Sequence, residues 1–307
     1  MGDSNIIKAA QYAMSGLDKL SLAPALPNPT GSFSVSHSDI EALTPNGTRS
    51  FVRLYYPSTE EGSPSKWLPD YEYGAGYGDF LSIPKWIVGG VASSVVGHIN
   101  IPGGKDSPLE PPPAPATKWP VFVFSHGLAT WRSHYSATCN ELASRGVVVV
   151  SIEHRDGSAI ASVAADGDAE ANVKYESLDE LIEKLLFVGA SGGRLSSTDY
   201  WAQNLSKIRN IARMSGGVKE GDSKNAIDRL QDARVVWLGM KGATHVDFSD
   251  IVFFAPNWVY ATYDYLLIGP DGLSPAIILN RTMTVAYAFI TADIDAKSSV
   301  FVDPEYR

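Results

Sequence analysis

Only one cysteine, Cys139, occurs among the 307 residues, so no disulfide can form within the chain and no cysteine-based zinc site can be assembled from it. That poverty fits a reducing compartment, and a cytoplasmic location is expected. Charge is also sparse: 19% of residues are charged, and their balance is acidic, at −9. A net acidic chain offers little to a phosphate backbone, so nucleic acid is not an expected partner. No run of about 18 consecutive apolar residues exists to span a bilayer. The opening MGDSNIIKAAQYAMSGLDKL lacks the unbroken apolar core of a signal peptide, and Ile6 breaks the myristoylation pattern that Gly2 would begin. The six histidines are scattered and form no H-E-x-x-H pattern, so no metal is expected. The glycine-rich GAGYGD (Gly74 to Asp79) neither follows a strand nor opens a helix, so no nucleotide site, and no cofactor of any kind, is expected.

What the chain does have is apolar substance: 44% of residues are hydrophobic, enough for a sizeable core. Residues 1–32 read as a flexible leader, 33–295 as a single α/β domain and 296–307 as a polar tail. Phe51 to Tyr56 (FVRLYY) is rich in β-formers and stops at Pro57, which predicts a strand. The apolar stretch Ile87 to Ile99 reads as a short helix or as a patch for peripheral membrane contact. The run PLEPPPAPATKWP (Pro108 to Pro120) reads as a stiff linker.

Beyond the linker the pattern changes. Val121 to Phe124 and Val147 to Ile152 are continuous apolar runs, separated by a helical pattern over 134–145 that ends at the good cap Gly146. Strand, helix, strand with both strands apolar throughout predicts a parallel sheet buried on both faces. Sites in such sheets lie at the carboxyl ends of the strands, which here carry Ser125-His126-Gly127 and Glu153-His154-Arg155-Asp156-Gly157. Residues 176–230 read as mostly helical. Val235 to Leu238 reads as a strand followed by a loop reaching His245, and 274–290 as a buried helix.

At SHGL (Ser125 to Leu128) and SIEHRDGSA (Ser151 to Ala159) the chain resembles the platelet-activating-factor acetylhydrolases, α/β-hydrolase esterases that remove short or oxidised acyl groups from phospholipids. RLYYPS (Arg53 to Ser58), Trp67 to Tyr73, KWPVFVFSHGL, ELASRGVVVVSIEHRDGSA, GATHVDFSD (Gly242 to Asp250) and SPAIILNRTMTVAYAF occur in the family's order. The resemblance spans roughly residues 38–160 and 234–290. It implies an α/β-hydrolase-like, mostly parallel sheet flanked by helices, and a phospholipid or other short-acyl ester as substrate.

Ester hydrolysis needs a nucleophile, a base, a group that orients the base, and donors for the oxyanion. The resemblance implies that the backbone N–H of Leu128 supplies an oxyanion donor, with Gly127 allowing close approach, that His245 is the base, and that His126 and Asp156 are structural. The family's G-H-S-F-G-G elbow is absent. The one G-x-S-x-G match is Gly189-Ala190-Ser191-Gly192-Gly193. Ser191 is a nucleophile if Leu185 to Val188 is a strand and 196–214 the helix after it. Against this, Leu178, Leu181, Ile182, Leu185 and Leu186 form a helical stripe that Gly189 would cap, the favoured reading. No strand-end aspartate follows, so no acid is assigned. The simplest account is a missing internal segment holding central strands of the sheet. Such a loss leaves apolar edges and a tendency to aggregate. The alternative to an esterase is an inactive or truncated homologue that binds lipid through Ile87 to Ile99.

Overall fold

The computed structural model describes residues 25–43, 49–60, 62–177, 180–181, 210–215, 234–239, 245–254 and 273–291. Residues 28–201 form one compact unit; the segments 1–27 and 202–307 form a second. Ser191 lies outside the described residues, as do most of 176–230 and the 296–307 tail.

The first unit is built on a six-stranded sheet. Its strands are β1 (Ser34–Leu43), β2 (Arg49–Ser58), β3 (Ser63–Lys66), β4 (Asn100–Lys105), β5 (Val121–Ser125) and β6 (Val148–Glu153), in the order β3-β4-β1-β2-β6-β5. The sheet is mixed. β1–β2, β2–β6 and β3–β4 are antiparallel, while β1–β4 and β5–β6 are parallel. Between β5 and β6 runs α3 (Ser136–Ser144), which is buried along its whole length. Past its end Gly146 takes φ +92°, the left-handed conformation that lets a helix stop abruptly into a strand. A short ladder, β7 (Ala161–Ser162) with β8 (Val173–Lys174), also belongs to this unit.

The parallel β5–α3–β6 arrangement is as read from the apolar runs, but its burial is not. β5 is the edge of the sheet, and Val121 and Val123 are 61% and 46% exposed. The continuous run of Val and Phe that signals a strand covered on both faces therefore belongs to one whose outer edge, among the described residues, pairs with no strand.

Glycine explains an element the sequence conceals. GAGYGD lies inside α1 (Tyr71–Leu81), capped by the Asp70 carboxylate accepting from the Glu72 N–H at 2.9 Å. A Cβ at Gly76 would stand 2.4 Å from the Ile160 carbonyl oxygen, and one at Gly74 would stand 2.8 Å from the Ala92 Cβ. The poor helix former is required because its neighbours come too close for a side chain. Ala92 belongs to α2 (Lys85–Val96), which pairs with α1 as a helical hairpin. The Ile87 to Ile99 stretch is thus a helix over most of its length. The helix also exposes apolar side chains: Trp86 is 73% exposed, Val91 58% and Val95 50%, and Leu81 at the end of α1 and Ile83 on the connecting turn are exposed too.

The leader expected to run through residue 32 is fastened at its end to α3. Both the main-chain N–H and the hydroxyl of Thr30 donate to the Glu141 carboxylate, at 2.7 and 2.5 Å. The Gly31 N–H donates to Ser144 Oγ at 3.0 Å.

In the second unit, β9 (Asn210–Ser215) and β10 (Arg234–Gly239) form a two-stranded parallel ladder, and α4 (Pro275–Thr291) packs on β9. α4 and β10 match the sequence reading as elements, but α4, expected to be buried, buries one face, with Ile278, Met283 and Phe289, and leaves Ile277 exposed. β9 corrects it: residues 210–215 were expected inside a helix and are a strand.

Candidate active site

Parallel pairing sends β5 and β6 out of the sheet on one rim, with Ser125 opposite Ile152 in the register. The two segments that follow, SHGL and HRDGS, are laced together there. Ala129 N–H donates to Ser158 O at 2.8 Å, and His154 N–H donates to His126 Nε2 at 3.1 Å. The His126 and His154 rings stack with centroids 3.8 Å apart. Ala129 takes φ +57°, a conformation non-glycine residues enter only when their surroundings impose it.

This lacing creates a directed relay. The Ser158 hydroxyl donates to Asp156 Oδ1 at 2.6 Å, so its oxygen is left to accept. His154 Nδ1 lies 3.0 Å from that oxygen and must donate to it. That choice of tautomer leaves His154 Nε2 as an acceptor, and Ser125 Oγ lies 2.8 Å from it. Burial lowers the His154 pKa, favouring the neutral ring, while Asp156 pulls in the other direction. Ser125 itself is exposed. His126, buried beneath, is pushed down to about 3 by burial and then by His154.

Beside Ser125 lies the turn expected to bind an oxyanion. Gly127 and Leu128 are both exposed, Leu128 at 47%. Among the described residues, neither N–H has a hydrogen-bond partner. The Gly127 carbonyl is occupied, accepting from Thr130 Oγ1 at 2.7 Å, which fixes the turn from its other side. A Cβ at Gly127 would meet only the Tyr135 hydroxyl, at 3.0 Å, so the approach over this residue is otherwise open.

Under the rim a buried ionic network holds the strands and the start of the α3 segment. Arg132 lies 3.1 Å from Asp39 and 3.3 Å from Glu153, and Arg53 lies 2.7 Å from Asp39. The Tyr73 hydroxyl donates to Glu153 at 2.7 Å. Burial alone would raise the Asp39 pKa, but the hydrogen bond from Arg53 and the charge of Arg132 hold it well below the usual carboxylate range.

The remaining sequence candidates are His245 and Ser191. His245 opens a 3-10 turn, His245–Phe248, in the second unit, whereas Gly127 and Leu128 belong to the first. Ser191 is outside the described residues. Sequence reasoning placed Ser125 and His154 in clusters where chemistry is expected but gave them no role, and it passed over Ser158. The signal available was that SHGL and EHRDGS end two strands already expected to be parallel neighbours, which sets their first residues side by side. Among the described residues no three His, Cys, Asp or Glu side chains are grouped to hold a metal ion.

Comparison with known proteins adds to this geometry. The family described as "Platelet-activating factor acetylhydrolase, isoform II" matches residues 20–186, a range that includes the whole rim and stops before Ser191 and His245. A platelet-activating factor acetylhydrolase of Canis lupus familiaris is 39% identical over 160 residues, 52% of this chain and 34% of its own. That of Bos taurus is 39% identical over 136 residues, 44% of this chain and 29% of its own. A putative phospholipase A2 of Schizosaccharomyces pombe is 36% identical over 120 residues, 38% of this chain and 26% of its own. The matched region spans about a third of the length of the first of these relatives. Among solved structures, a ferulic acid esterase from Streptomyces cinnamoneus superposes with a TM-score of 0.54 at 15% identity, covering 91% of this chain and 98% of that one. At that identity the likeness speaks for the fold alone, which is of the α/β-hydrolase type.

Proposed function

This chain belongs to the platelet-activating factor acetylhydrolase, isoform II, family, and from that premise we propose that it is a carboxylic ester hydrolase that removes a short sn-2 acyl group from a phospholipid. The observation that carries the reading is the turn after β5, which offers the free N–H groups of Gly127 and Leu128 to solvent at the carboxyl end of a parallel strand. Backbone donors held in place before the reaction stabilise negative charge on an ester oxygen without having to reorganise, the largest single term in many acyl transfers. In this reading Leu128 N–H holds the oxyanion, and the bare Cα of Gly127 lets the carbonyl approach. His245 takes the role of base, and Ser191 that of nucleophile in the G-x-S-x-G context. A cytoplasmic setting goes with the single, fully buried Cys139.

The test is hydrolysis of a short-acyl phospholipid and a long-acyl control by the full chain, with release of the free acid measured. Turnover of the short-acyl substrate at least tenfold above the control is expected. No acid release from a folded sample overturns the reading.

A second reading, a homologue without turnover that binds lipid, is favoured by the α2 surface. Val91 and Val95, one helical turn apart on α2, form an exposed apolar pair of the kind that marks a contact with a membrane or a partner. Among the described residues no helix is long and apolar enough to cross a membrane, so such contact would be peripheral.

A further inference from the structure

We infer that Thr130 is a positioning residue for ester hydrolysis: its hydroxyl, together with the His126 ring, clamps the carbonyl of the Gly127–Leu128 peptide and so aims the Leu128 N–H at the oxyanion. This role rests on the reading above, in which Leu128 is the oxyanion donor.

One peptide carries the geometry. The Gly127–Leu128 peptide is trans, so its C=O and N–H lie in one plane and point in opposite directions. Whatever holds the Gly127 oxygen therefore also sets the direction of the Leu128 hydrogen. Two side chains hold that oxygen, Thr130 Oγ1 at 2.7 Å and His126 Nδ1 at 2.8 Å. Together they fill both lone pairs of the carbonyl. At the other end of the plane the Leu128 N–H has no hydrogen-bond partner among the described residues.

The protons on these two side chains can be placed. The His154 main-chain N–H can only donate, and it donates to His126 Nε2 at 3.1 Å. The neutral ring therefore carries its proton on Nδ1, facing the Gly127 oxygen. Burial keeps the ring neutral, pushing its pKa down to about 3. Thr130 Oγ1 lies 3.1 Å from that nitrogen, which has no lone pair to offer. The Thr130 hydroxyl is thus left to send its proton to the Gly127 carbonyl.

The turn needs this help. Its own bond, from the Thr130 N–H to Gly127 O, is long at 3.4 Å. Ala129 stands at its third position with φ +57°, where glycine is the usual residue. The hydroxyl bond supplies what the main chain lacks, and it hangs from a fixed point, because the Thr130 carbonyl accepts from the Ile160 N–H at 3.2 Å. A donor set before substrate arrives stabilises the developing charge without reorganising. Donors on the carbonyl also polarise the peptide and strengthen its N–H as a donor. With the carbonyl released, the peptide plane can rotate and carry the N–H away from the oxyanion.

The experiment reads this peptide directly in the full chain. Glycine–leucine pairs occur at Gly16-Leu17, Gly127-Leu128 and Gly272-Leu273. Isotope labels on glycine carbonyl carbons and leucine nitrogens therefore pick out these peptides by NMR, and Leu128→Ile identifies the one of interest by its loss. Thr130→Val deletes the hydroxyl and keeps the shape, Thr130→Ser keeps the hydroxyl, and Thr130→Ala repeats the deletion should the valine variant fail to fold; circular dichroism checks each. In Thr130→Val the Gly127–Leu128 signal is expected to move while the others stay. In the same variant kcat for a short-acyl phospholipid is expected to fall about tenfold or more with KM within about twofold, as for an interaction made only in the transition state. Thr130→Ser is expected to restore both. An unmoved signal overturns the clamp. A moved signal with unchanged kcat overturns the positioning role and leaves the hydrolase reading in place. No turnover from the folded parent chain overturns the hydrolase reading, and the role of Thr130 in catalysis falls with it.

Discussion

The main-chain N–H of Arg132 donates to Glu153 Oε2 at 2.9 Å while the same residue's guanidinium stands 3.3 Å from Glu153 Oε1. Arg132 therefore holds the last residue of β6 from both backbone and side chain, immediately ahead of His154. The Glu153 side chain is fully buried and that of Arg132 nearly so. Removing one partner leaves the other charged in a site without water, which costs about 3–5 kcal/mol. Glu153→Ala is expected to lose that much in urea unfolding, and Glu153→Gln less, since its amide oxygen can still accept from the Arg132 N–H. A loss under about 1 kcal/mol for the alanine variant would show the pair to be solvated.

Acid should unfold the chain early. Burial holds His37 down to about 4, with Arg53 adding to the effect. Burial also holds His126 and His134 down to about 3. In the unfolded chain each takes a proton near 6.5. The unfolded state thus binds more protons between these limits, so stability is at its full value above about pH 6.5 and falls as pH drops towards 4 and then 3. At pH 5 the loss is about 2 kcal/mol per histidine. Urea midpoints at pH 7.5 and pH 5 check this, and equal midpoints would place the rings in contact with water.

The exposed edge of the sheet should govern self-association. Val123 is 46% exposed on β5, in a strand of Val and Phe with no charge to deter pairing between molecules. Val123→Lys is expected to lower light scattering at equal concentration while changing unfolding free energy by less than about 0.5 kcal/mol, as surface substitutions do. Unchanged scattering would move the cause of association to another surface.

If the α2 face meets lipid, two lysines will disrupt it. Val91 and Val95 are more than half-exposed or at half exposure, at 58% and 50%, one helical turn apart. Val91→Lys with Val95→Lys is expected to reduce liposome flotation several-fold without altering the circular dichroism melt. Equal flotation of variant and parent would remove this patch from any role in binding.

Legibility in the sequence followed how local each cause was. The β5–α3–β6 unit could be read because continuous apolar runs and a capping glycine report on their own neighbourhood. β1 could not. Its buried Ser36 hydroxyl and His37 Nε2 bond to the carbonyls of Gly104 and Pro102, more than 60 positions away, so the polar letters look like a loop until those partners are known. α1 was hidden for a related reason: Gly74 and Gly76 lower helix propensity locally and are explained only by Ala92 and Ile160. At the rim, SHGL was legible as a site because it matched a known motif. The Ser125–His154 pair was not, because its two members are 29 positions apart and join only through strand pairing.

The glycines of α1 carry a warning for anyone engineering this protein. Replacing helical glycine by alanine is among the commonest routes to a hardier variant, since it restricts the unfolded chain. Here the added methyl at position 76 would be driven into the Ile160 carbonyl, 2.4 Å away, and that carbonyl lies on the stretch leading out of the His154 segment. A change chosen to toughen the helix would be transmitted as a wedge to the loop that carries the His154 imidazole.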